Sequence, residues 1–364
     1  MAMKTPMTRS TARQGLFAPL PKTPSVRLNK ETLERDLDTV PSETGTATGS
    51  CPKKAYDGGS TASLRLAALL LTVVATSCAI KHPVHPSLPV EMPISAKTGQ
   101  GDLLMVTLAV ESGDELLCVV DTGAPFILLD KSLEPTLGKA LTSAKAHSTY
   151  GTTRERFYKA PKLYLGKTEL VTGERVVTMD LSRMSADLNR MTGTKERVMG
   201  VVGLDCLKNY CIQLDFAAAK MRFLDPKDMQ TNDLGKAFPL TISGNRAFVQ
   251  ENFVGVKGVE SQIDTGLNFH GVLTPKLYHR WTNTAPEIPA GEVCFPTAVF
   301  GGSRYTNMVL HGDGPNLIGL AFLGRHLVTL NFPKRTMYLK QTSVGPRPLA
   351  DSASKAEKTE STHR

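Results

Sequence analysis

The distribution of apolar and polar positions changes character along the chain. Residues 1–60 are rich in Thr, Ser, Pro and charge, and their few apolar residues follow neither a helical nor a strand period. Such a segment buries too little apolar surface to offset the entropy of ordering, so a disordered leader is expected there. An apolar stretch of about 14 residues lies within 61–78. Residues 79–99 then carry Pro83, Pro86, Pro89 and Pro93, a spacing that reads as an extended tether. From residue 100 to 341, short alternating or continuous apolar runs are separated by Gly, Asn, Asp and Pro; 103–110, 116–120, 162–165 and 174–179 are examples. This is the period of strands, and it predicts a mainly all-β fold with short helices. Residues 342–364 are polar and are expected to be a disordered tail.

The β-rich region repeats itself. Gly203, Leu204, Leu207, Leu214, Phe216 and Met221 recur without a gap as Gly319, Leu320, Leu323, Leu330, Phe332 and Met337. Upstream of each copy an apolar run leads into Asp-Thr-Gly, first at Asp121-Thr122-Gly123-Ala124 and again at Asp264-Thr265-Gly266-Leu267. One such tripeptide arises by chance in about one chain in ten at average residue usage, so a single copy says little. Two copies, each after a strand and each followed by a hydrophobic-hydrophobic-Gly element, say much more. The repeat divides the region into residues 100–227 and 237–341. A third pair of segments is also alike: Tyr150-Gly151 precedes Arg154, and Phe300-Gly301 precedes Arg304, as at two hairpin tips.

These residues resemble the aspartic peptidase clan, in particular the bacterial retropepsin-like proteins, over roughly residues 100–341. The resemblance implies a bilobal, pseudo-twofold fold in one chain, with each lobe supplying one Asp-Thr-Gly loop. It implies that Asp121 and Asp264 form a catalytic dyad, that Thr122 and Thr265 brace it, and that Gly123 and Gly266 shape its loops. Tyr150, Gly151, Phe300 and Gly301 become flap residues that close over substrate. The chemistry needs this pairing, because two carboxylates a few ångströms apart share one proton. The ionised partner takes a proton from water while the protonated one polarises the scissile carbonyl. The implied function is endopeptidase action on peptide or protein substrates, with no cofactor and no metal, and a monomer suffices to complete the dyad. The residue after each glycine is usually small in this family; Ala124 conforms and Leu267 does not. Leu267 therefore favours an alternative, a catalytically inactive, membrane-anchored peptide-binding protein of the same fold. Neither Ala124 nor Leu267 offers a hydroxyl to ionised aspartate, so the dyad's pKa values are expected to lie high and activity to favour mildly acidic to neutral pH.

The net charge of +9 raises the question of nucleic acid. No basic run with interleaved aromatics and no zinc-finger spacing accompanies it, so no nucleic-acid partner is expected. The six cysteines, Cys51, Cys78, Cys118, Cys206, Cys211 and Cys294, contain no C-x-x-C pair. Cys118, Cys206 and Cys211 lie in or beside apolar runs and read as small buried hydrophobes, with a Cys206–Cys211 bridge as the alternative in an oxidising compartment. The apolar stretch within 61–78 is shorter than the roughly 20 residues that span a bilayer. With Ala75, Thr76 and Ser77 before Cys78, it resembles a signal-peptide core ending in a bacterial lipobox. That resemblance implies lipidation at Cys78 and an exported, periplasm-facing lipoprotein of the bacterial cell envelope, held at a membrane surface. Its position some sixty residues in fits a true start downstream of Met1.

Overall fold

Continuous and alternating apolar runs occupy different places in the sheets. Cys118, Val119 and Val120 pair in parallel with Gly200, Val201 and Val202, and all six are buried, as continuous runs require. Lys220–Leu224 alternates, with Met221 and Phe223 facing the core. The computed structural model describes residues 27–28, 88–148, 151–227, 229, 233–285 and 291–347. The apolar stretch with Cys78, and Tyr150 at the first hairpin tip, lie outside them. The described residues are mainly β, in a ten-stranded and a twelve-stranded sheet over one large hydrophobic core. Short helices such as Leu204–Leu207 and Leu320–Leu323 connect strands. Arg27–Leu28, of the leader, pairs antiparallel with Thr142–Ser148.

The sequence repeat is also a repeat of register. In the first half, Val201 pairs in parallel with Val119, two residues before Asp121. In the second half, Leu317, the counterpart of Val201 at an offset of 116, pairs in parallel with Gln262, two residues before Asp264. A third strand lies antiparallel to each: Leu128–Asp130 in the first half and Gly271–Val272 in the second. Cys211–Asp215 pairs with Lys220–Leu224 as His326–Asn331 pairs with Thr336–Gln341, in the same register. The turns within these two hairpins both place a non-glycine residue at positive φ, Ala219 at 52° and Arg335 at 49°. The halves join where Cys211–Asp215 pairs antiparallel with His326–Asn331. There Gln213 lies opposite Thr329, its own counterpart, so the join carries a local twofold.

Two expected boundaries are corrected. Val90–Pro93, expected within the tether, is an edge strand pairing antiparallel with Lys220–Leu224. It is the counterpart of the start of Lys236–Ser243: Pro93 pairs with Lys220 as Pro239 pairs with Thr336. An edge position tolerates proline, which is why a Pro-punctuated segment could join a sheet here. Residues 342–347, expected in the tail, are held to the body. Thr342 and Ser343 donate backbone N–H bonds to Arg325 O, and Arg347 donates to the carbonyls of Phe216 and Thr98.

The halves differ between the third strand and the Gly strand. The first inserts the hairpin Thr142–Ser148/Gly151–Lys159, then a small hairpin of Leu163–Leu165 and Thr168–Glu169, before Arg175–Met179. The first also has the helix Ser182–Thr192 after that strand; the second has the helix Pro275–Thr282, where the first has the short helical turns Lys131–Leu133 and Glu134–Leu137, and one long hairpin, Glu292–Phe300/Ser303–His311, closed by Gly301-Gly302.

Candidate active site

Each Asp-Thr-Gly sits where a buried strand ends and the chain must turn back under its parallel neighbour. Asp121 is 2% exposed and Asp264 3%. Each turn is tied by its own carboxylate: Gly123 N–H donates to Asp121 Oδ1 at 2.7 Å and Gly266 N–H to Asp264 Oδ1 at 3.1 Å. The glycines face the opposite carboxylate. A Cβ on Gly123 would lie 2.6 Å from Asp264 Cγ, and a Cβ on Gly266 would lie 2.5 Å from Asp121 Cγ. Only a residue without a side chain permits the approach. The two carboxyl groups thus face each other across the local twofold, each beside the glycine of the other's loop.

The threonines lock this meeting. Thr122 N–H donates to Thr265 Oγ1 at 3.0 Å, and Thr265 N–H donates to Thr122 Oγ1 at 3.1 Å. Each hydroxyl then donates to the carbonyl preceding the other aspartate: Thr122 to Ile263 O and Thr265 to Val120 O, both at 2.8 Å. The four bonds are buried, so every donor and acceptor must be kept satisfied and neither loop can move alone.

Burial is the largest influence on both acids and pushes both pKa values up. For Asp264 the charge of Asp121 adds to it, and its carboxyl stands well above the ordinary range. The N–H groups of Gly123, Ala124, Gly266 and Leu267 oppose the rise by favouring the anion. The pair therefore holds one proton where isolated carboxyls have lost theirs. The causes of the rise are burial and, for Asp264, the charge of Asp121.

Leu267 does not crowd the loop. Its side chain packs with Val272 and Leu317 beneath Phe269, and its amide still faces Asp264. Its carbonyl accepts Leu320 N–H at 2.7 Å, as Ala124 O accepts Leu204 N–H at 2.8 Å. Gly203 and Gly319, the glycines of the two hydrophobic-hydrophobic-Gly elements, let the two segments cross closely here. A Cβ on Gly203 would lie 2.1 Å from Phe126 O, and one on Gly319 would lie 2.2 Å from Phe269 O.

The likeness of the two hairpin tips is corrected. Gly151 is exposed at φ 115° and opens the strand after Tyr150. Phe300 is 1% exposed and packs among Phe238, Phe253 and Phe322. A Cβ on Gly301 would lie 2.5 Å from the Phe238 ring, and Lys236 Nζ donates to Gly301 O. This tip is therefore pinned and Phe300 is core. The registers also place it differently. Ser303–His311 runs parallel to Gly271–Val272 as Arg175–Met179 runs parallel to Leu128–Asp130. The Gly301-Gly302 turn therefore replaces residues 160–174 of the first half, not the Tyr150-Gly151 tip.

Asp205 is a buried acid that nothing in the sequence singled out, because its counterpart is Ala321. It is 3% exposed; its Oδ1 accepts Cys206 N–H, while Oδ2 has no partner. Burial pushes its carboxyl up to about 7. Cys118, Cys206, Cys211 and Cys294 are free thiols, the first three buried, so the Cys206–Cys211 bridge is not formed.

No family model matches the chain, and no curated protein matches it. Among solved structures it is similar to basic 7S globulin from soybean, at 16% sequence identity and a TM-score of 0.44, over 70% of this chain and 95% of that one. A likeness of that size is too slight to bear on fold or chemistry. No helix of the described residues is long and apolar enough to cross a membrane.

Proposed function

We propose that the chain is a bilobal, single-chain aspartic endopeptidase of the bacterial retropepsin-like type, with Asp121 and Asp264 as its dyad. The meeting of these two buried carboxyls, each against the opposite loop's glycine, carries the reading. The ionised member removes a proton from water as the oxygen attacks the peptide carbonyl. The protonated member donates to the carbonyl oxygen, giving a neutral tetrahedral diol. Collapse breaks the C–N bond, the proton taken from water passes to the leaving amine, and the dyad returns to one shared proton. The rigid threonine lock keeps both oxygens aimed at one reacting centre, which is what this mechanism needs. Of the two hairpins, Thr142–Ser148/Gly151–Lys159 is the candidate cover, with Gly151 beside its tip.

The inactive alternative drew its support from Leu267, whose side chain is buried in a cluster with Val272 and Leu317. The raised carboxyls favour activity at mildly acidic to neutral pH, because the singly protonated pair persists there. A rate maximum below about pH 3, where ordinary carboxyls are protonated, would contradict this. Lipidation at Cys78 and an envelope location form part of the proposal. The intact mass of the membrane fraction should carry the added lipid and lose it in Cys78→Ala.

The test is cleavage of a generic peptide library by the purified chain beside Asp121→Asn and Asp264→Asn. Each variant should lose at least about 10³-fold in kcat/KM while remaining folded. Equal turnover by all three, or by none, would count against the proposal.

A further inference from the structure

After its third strand the second half has the eight-residue helix Pro275–Thr282 where the first has only the short helical turns Lys131–Leu133 and Glu134–Leu137. The helix Pro275–Thr282 separates two cavities. One, of about 500 Å³, is lined by Val254, Gly255, Val256, Lys257, Leu277, Arg280 and Trp281. The other, of about 550 Å³, is lined by Pro275, Lys276, His279, Arg280 and Thr284. Arg280 borders both, so they form one continuous face. Among the described residues, Lys257, Lys276 and Arg280 are exposed and make no ion pair, and no carboxylate lines either cavity. His279 is tied to Thr284 through Nδ1 at 2.9 Å. Trp281, the chain's single tryptophan, is 37% exposed and packs on Phe295.

We infer that this face docks on an anionic phospholipid surface. Three cations without an ion-pair partner among the described residues, beside aliphatic side chains and a partly exposed indole, match the boundary between headgroups and acyl chains. The cations meet phosphate, the indole sits at the interface, and Val254 and Val256 contact the acyl margin. The aliphatic content favours a bilayer over nucleic acid, which would be met by cations and stacking alone. Orientation supports the same occupant. The loop with Lys257 joins Arg246–Val249 to Ser261–Asp264, so it lies at the far end of the strand whose C-terminus carries Asp264. Docking there leaves the dyad end turned away from the bilayer. The inference does not depend on peptidase activity, and it differs from anchorage through Cys78, because the folded body itself supplies the contact.

The test uses the full chain carrying Cys78→Ala, which removes any acyl anchor, with vesicles of phosphatidylcholine alone or mixed with phosphatidylglycerol. Because the chain has one tryptophan, its emission reports this face directly. The expected result is a blue shift and co-sedimentation with the anionic vesicles only, both reversed by high salt. Lys276→Glu with Arg280→Glu should weaken the fluorescence-detected binding by roughly 30-fold or more while leaving the melting temperature unchanged. Co-sedimentation without the shift would show the leader at work and overturn the inference. So would binding that survives the double variant, or a shift produced equally by a single-stranded oligonucleotide or inorganic phosphate without vesicles.

Discussion

The first and second halves agree where the acids are held and in the hairpins that join them, and part company between the third strand and the Gly strand. Around Asp121 and Asp264 the strand register, the crossing glycines and the threonine bonds are the same to within a few tenths of an ångström. Outside that unit one half builds two hairpins and the other a pinned hairpin beside a cationic helix. The difference shows which parts share a task. Two carboxyls can share a proton only if each loop fixes the other, and that demand is symmetric. Covering a peptide or meeting another surface requires no symmetry, and those segments have diverged.

The comparison breaks most sharply at the glycines. Gly123→Ala and Gly266→Ala each put a methyl group against the opposite carboxyl, so both should cost about 10²-fold or more in kcat, to a similar degree. A loss at one site with the other unaffected would mean that the loops do not act as a pair. The hairpins should behave unequally. Phe300→Ala empties a packed aromatic cluster and should cost about 3–5 kcal/mol of unfolding free energy in a denaturant titration, with KM unchanged. If Phe300→Ala instead left stability intact and raised KM, the second tip would be a cover after all.

Asp205 gives the smallest effect and the finest test of asymmetry, since Ala321 stands in its place in the other half. Its folded pKa of about 7 lies above the ordinary carboxylate value. Its contribution to stability is therefore full below about pH 4 and is lost as pH rises through 7. Asp205→Asn should leave stability near pH 4 little changed and raise it by about 1–3 kcal/mol at pH 8. A pH-independent difference between the two proteins would show that the carboxyl does not titrate with folding.

Much of the site was legible because its chemistry is written locally. Asp-Thr-Gly fixes a turn, an acceptor and a close approach within three residues, and an ungapped repeat of Gly203 as Gly319 carries the register with it. What escaped depends on partners distant in sequence. Pro93 looked like part of a tether because its equivalence to Pro239 exists only through pairing with Lys220 and Thr336. Phe300-Gly301 resembled Tyr150-Gly151 because aromatic-glycine pairs mark turns in general and do not specify which strand a turn follows. Leu267 looked obstructive because sequence gives bulk but not direction. Arg347 read as tail because the carbonyls that hold it, Phe216 O and Thr98 O, lie more than a hundred residues away.

The proposed dyad shares one proton between two acids from different halves of the chain. Carbon-13 resonances of the aspartate carboxyls, followed against pH in the native protein and in Asp121→Asn, report it without reference to any substrate. In the native protein one dyad carboxyl should titrate well above the ordinary range, and removing the charge of Asp121 should bring Asp264 down toward it. Two dyad carboxyls that titrate independently near pH 4, unmoved by the substitution, would contradict the pairing.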